Sequence, residues 1–92
     1  MNERIMTLHP EGKQGVNIEK EKYDAMRQAI ITALQTKQPQ TFSGLEQAVN
    51  AQLDGHFEGS VSWYFTTVKL DLEARQVLMR VPGTRPQQIR LT

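Results

Sequence analysis

The sequence predicts a mainly α fold closed by a C-terminal β-hairpin, an α+β winged helix-turn-helix built from three helices and a wing. Three observations predict it. Three segments before residue 76 place apolar residues at spacings of three and four; two of them carry clear capping signals; and from Val77 onward the period switches to strict alternation. The expected layout is one domain over 1–92, with an extended arm at 1–17, the helices within 18–75 and the wing at 77–92.

The arm contains a short apolar stretch, Ile5-Met6-Thr7-Leu8, suited to an edge strand. Pro10, Gly12 and Gly15 follow and exclude a helix there. A first helix is expected over about 19–37, with Asn17 as a candidate N-cap. Its stripe is Tyr23, Met26, Ile30, Ala33 and Leu34, and Pro39 blocks its continuation. A short extended piece is expected at 40–42. A second helix over about 44–53 opens on Ser43-Gly44-Leu45-Glu46, which reads as a capping box, and closes at Asp54-Gly55.

The third helix, about 60–75, buries Val61, Phe65, Val68 and Leu72, with Tyr64 on the flank. Strands follow near 77–81 and 87–92, joined by the turn Pro82-Gly83-Thr84-Arg85-Pro86. The expected core is Met26, Ile30, Leu34, Leu45, Val49, Val61, Phe65, Val68, Leu72, Val77 and Ile89.

Size and composition restrict the function classes. A chain of 92 residues buries roughly 60% of its unfolded surface, enough for one core but not for a deep substrate cavity as well. It has no cysteine, hence no disulfide or thiolate metal site. A reducing, cytoplasmic setting is expected, with no signal peptide or membrane span. The net charge of +1 is uninformative, but its distribution is not. Residues 1–58 hold six Lys/Arg against eight Asp/Glu, whereas 59–92 hold five against two.

The run Leu72-Glu73-Ala74-Arg75-Gln76-Val77-Leu78-Met79-Arg80 resembles the passage from recognition helix to wing in many bacterial winged-helix regulators, with Gln76 standing where glycine is usual. Residues 12–18, 62–64 and 66–75 also resemble a small bacterial family, a domain of unknown function with a winged helix-turn-helix-like pattern. That resemblance implies the fold and imports no activity.

Two functions stay open on these residues. Duplex DNA would be met by Ser62, Thr66, Thr67 and Lys69 on the outward face of the third helix, and by Arg80, Arg85 and Arg90 on the wing. That face offers one cation and no Asn, Gln or Arg for a bidentate base contact. A specific binder neutralises on the order of 6–10 phosphates. The alternative is a protein-interaction module, self-associating or partner-binding, with Trp63 and Leu70 as interface residues two turns apart on the same face. A third possibility for that pair is cover by the arm around 5–8.

Other chemistry finds no purchase in the sequence. Gly12-Lys13-Gln14-Gly15 lacks the spacing of a phosphate loop and reads as a flexible turn. His9 and His56 are isolated, so no metal or other cofactor is expected. No nucleophile elbow or distinguished carboxylate pair is present, and neither an enzyme nor a small-molecule substrate is expected.

Overall fold

The computed structural model describes residues 3–92. It contains three helices and two small antiparallel sheets, in the order β1 (Arg4–Met6), β2 (Asn17–Glu19), α1 (Lys20–Thr36), β3 (Gln40–Thr41), α2 (Phe42–Leu53), α3 (Val61–Ala74), β4 (Leu78–Arg80) and β5 (Gln88–Leu91). β1 and β2 form a hairpin. The other three strands are ordered β3-β5-β4, so the strand between α1 and α2 closes onto the last strand of the chain.

The helices follow from their stripes. Met26, Ile30 and Leu34 of α1, Leu45 and Val49 of α2, and Phe65, Val68 and Leu72 of α3 are all fully buried in one cluster. At the foot of α2, Phe42 meets Phe65 edge to face, with ring centroids 5.1 Å apart. The Ser60 hydroxyl accepts from the Trp63 amide and starts α3. Gly55 just beyond α2 has φ +73°, a conformation open to glycine at no steric cost.

Four local expectations are corrected. The arm is not simply extended: residues 17–19 pair with 4–6, so Asn17 lies in a strand instead of capping α1. The Arg4 guanidinium donates to the side-chain and main-chain oxygens of Asn17, which draws that residue into the pairing. Second, α2 begins two residues early, because Thr41, not Ser43, accepts from the Gly44 amide. Third, Leu78 is buried where Val77 was expected, and Val77 is only partly covered. The register explains it: Ile89 faces the core opposite Arg80, and Leu91 lies opposite Leu78, so the even-numbered residues of β4 share their face. Fourth, Val61, expected in the core, only flanks it.

The exit from α3 sets that register. The Gln76 amide donates to the Glu73 carbonyl and the Val77 amide to the Leu72 carbonyl, the paired bonds of a Schellman motif. Gln76 itself sits at φ +63°, the left-handed region where glycine is usual.

Candidate functional site

Helix α3 is gripped on three sides. Its apolar stripe faces α1 and α2. One flank carries Lys69 and Glu73 toward the C-terminal sheet, and the other carries Asp71 toward the arm and α1. What remains open is a narrow strip. Ser62, Trp63 and Thr66 are exposed, while Thr67 and Leu70 are half-buried.

The sheet-side flank buries a residue expected on the outward face. Lys69, expected outward, is only 5% exposed. Its ammonium pairs with Glu73, one turn on, and lies 5.7 Å from the centre of the Phe42 ring. At roughly 100° per residue, Lys69 borders the apolar stripe, and a lysine there buries its methylene stem along the core. Arg80 reaches the other oxygen of the same carboxylate at 3.3 Å. One buried glutamate thus engages two of the cations proposed for phosphate. Arg85 and Arg90 on the hairpin are exposed.

The arm-side flank is organised by Asp71, which is fully buried and was not singled out from the sequence. Its carboxylate accepts from the Leu8 amide at 2.9 Å, from the Tyr23 hydroxyl, and from Arg75 Nε at 2.9 and 3.0 Å. Burial, reinforced by the hydrogen bond to Asp71, pushes the Tyr23 phenol up to about 12. The same carboxylate holds the Arg75 guanidinium above its ordinary range. A signal for this cluster did exist: Asp71 and Arg75 are four apart on a helix, and Asp71 lies beside the apolar stripe.

Between the arm and α3 runs a cleft of about 190 Å³, lined by Thr7, Leu8, His9, Gln14, Gly15, Val16, Trp63, Thr67 and Leu70. The arm therefore stands beside Trp63 and Leu70 and leaves Trp63 half-exposed. Trp63 is 47% exposed, Leu8 45% and Val16 38%. Trp63 leans edge-on against Tyr64, centroids 4.8 Å apart, and Tyr64 against Phe57 at 5.2 Å, which holds the indole at the rim. No lysine, arginine, aspartate or glutamate lines this cleft. Among the described residues no cluster of three or more His, Asp or Glu could hold a metal ion, and no helix is long and apolar enough to cross a membrane.

Residues 4–89 match the model of a family of unknown function, DUF6958. No curated protein and no solved structure matches the chain.

Proposed function

The chain belongs to DUF6958, a family of unknown function, and we propose from its geometry that it is a non-catalytic winged-helix module that associates with a second copy of itself. The observation that carries this is the uncharged cleft between arm and α3. Its apolar side chains Leu8, Val16, Trp63 and Leu70 come from two separate parts of the chain and share one surface. Contiguous exposed apolar surface marks interaction sites, with aromatic anchors at their centres. A second copy suits it because an isologous contact sets each patch against itself. With no charge in the lining, that contact opposes no like charges and buries no unpaired one. A standard interface takes roughly 800 Å² from each partner, about a seventh of this chain's 5857 Å² surface. The test is a dilution series followed by amide chemical shifts. Self-association moves the amides of Leu8, Val16, Thr66 and Leu70 with concentration, and shifts that stay constant up to millimolar protein would reject it.

Duplex DNA is the second reading, supported by the element order. After the N-terminal hairpin, the order helix, strand, two helices and hairpin, with sheet order β3-β5-β4, resembles a winged helix, and Arg85 is exposed in the turn that would form the wing tip. Against it, Lys69 of α3 and Arg75 just beyond its end are both bound to carboxylates. On this reading Arg85→Ala and Arg90→Ala weaken binding equally for all sequences, because phosphate contacts position without specifying, while Thr66→Ala changes sequence preference. Absence of a mobility shift at roughly 10 mM salt, where the Debye length is about 30 Å, ends it.

A further inference from the structure

We infer that Asp71 is a positioning residue for the cleft: from beneath it, its carboxylate holds loop 7–16 against α3 as a closable wall. This inference deepens the self-association reading and rests on it for the purpose of the wall, though not for the wall's existence.

The argument begins with the way the loop is built. Its two ends are locked to each other. The Thr7 amide donates to the Val16 carbonyl, and the Val16 amide to the Thr7 hydroxyl, both at 2.9 Å. Gly15 packs so tightly there that a Cβ would lie 1.8 Å from the Thr7 carbonyl oxygen. The loop is thus a stiff unit, and stiff units move as one body about their attachments. Below it the attachment is the β1–β2 pairing, with Ile5 and Ile18 in or against the core. On the α3 side the attachment is the Leu8 amide on Asp71 Oδ1, a contact between residues 63 apart in sequence.

Asp71 sits in the last turn of a helix, where the macrodipole disfavours an anion, and it is wholly out of water. An unpaired carboxylate in that position would be expensive. It is held there by donors from three elements at once: the arm, Tyr23 of α1 and Arg75 at the end of α3. Packing alone would be served by an aliphatic residue at this place. What the carboxylate adds is a fixed acceptor for a backbone N–H of the loop, two residues from Pro10 and directly beneath the wall that Leu8 and Val16 form opposite Trp63 and Leu70. When that bond is lost the wall swings out, Trp63 loses its neighbour, and the cleft ceases to be a shaped surface.

Trp63 is the only tryptophan in the chain, so its emission reports the wall directly, whether or not the protein associates. Asp71→Asn keeps an acceptor for the Leu8 amide, whereas Asp71→Ala keeps none. The expected result is wild-type emission in Asp71→Asn, and red-shifted emission in Asp71→Ala. Amide exchange of Leu8 in Asp71→Ala should rise at least about tenfold, while the Thr7 and Val16 amides, bonded within the loop, and the buried amides of α1 and α3 stay protected. Should Asp71→Ala fail to fold, Leu8→Pro removes the donor instead, with Leu8→Ala as the control that keeps it. Leu8→Pro then reproduces the opened loop and Leu8→Ala does not. If Trp63 emits as in wild type in both Asp71→Ala and Leu8→Pro, and the Leu8 amide of Asp71→Ala exchanges as in wild type, the inference is wrong. A loop that opens without weakening self-association, or in a protein that never self-associates, upholds Asp71 as the positioning residue and overturns the association reading instead.

Discussion

The Lys69 ammonium rests on the carboxylate of Glu73, one turn further along α3, with only 7% and 8% of the two side chains exposed. A pair so deep is costly to separate, because removing one partner leaves the other charged and out of water. Glu73→Ala is therefore expected to lower the unfolding free energy by about 3–5 kcal/mol, since it strands Lys69 and frees Arg80. Lys69→Met combined with Glu73→Leu recovers most of that loss by replacing the pair with apolar packing. Urea denaturation of the wild type and the two variants measures both effects. Equal losses in the single and double variants would show that apolar packing does not replace the pair, and would contradict this account.

The exit from α3 yields a stabilising substitution. Gln76 occupies the left-handed region at φ +63° and its side chain is exposed. A left-handed conformation costs an L-residue roughly 1–2 kcal/mol, part of which glycine returns as unfolded-state entropy. Gln76→Gly should raise stability by about 0.5–1 kcal/mol, and Gln76→Val should lower it. Thermal denaturation followed by circular dichroism reads the sign of each.

Burial and the bond to Asp71 raise the Tyr23 phenol to about 12, against roughly 10 in an unfolded chain. The protonated phenol is the form favoured by folding. Its contribution is complete below pH ~10 and is lost as pH rises toward 12, where the unfolded chain releases the proton first. Stability should therefore fall across that window in the wild type and fall less in Tyr23→Phe. Equilibrium unfolding at a series of pH values above 9 checks this, and parallel curves for the two proteins would contradict it.

Much of the fold was legible because the signals were local. The stripes Met26-Ile30-Leu34 and Phe65-Val68-Leu72, and Gly55, all depend on residues within a turn or two of each other. The misreadings came from partners distant in sequence. Asn17 looks like a cap until Arg4 draws it into a strand. Val77 looks like core until the pairing of Leu78 with Leu91 decides which face turns inward. At the site, Trp63 and Leu70 were legible as an apolar strip, since one helical wheel contains both. The opposite wall of the cleft was not, because Leu8 and Val16 are distant from α3 in sequence and the bond from the Leu8 amide to Asp71 shows in no local pattern. Lys69 was misjudged for a related reason: a residue at the edge of a stripe is exposed or buried according to what packs over it, here Phe42 and the Arg80 end of β4.

The central claim is that the surface shared by arm and α3 joins two copies of the chain. Sedimentation equilibrium of the wild type and of Trp63→Ala/Leu70→Ala tests it most directly. The account predicts a concentration-dependent dimer for the wild type and a monomer for the double variant, with an unchanged far-ultraviolet circular dichroism spectrum. The half-exposure of Trp63 argues that the variant stays folded, because truncating an indole already 47% in solvent costs well below the roughly 3–5 kcal/mol of a fully buried one. A wild type that sediments as a monomer at every concentration, or a double variant that dimerises as tightly as the wild type, would contradict it.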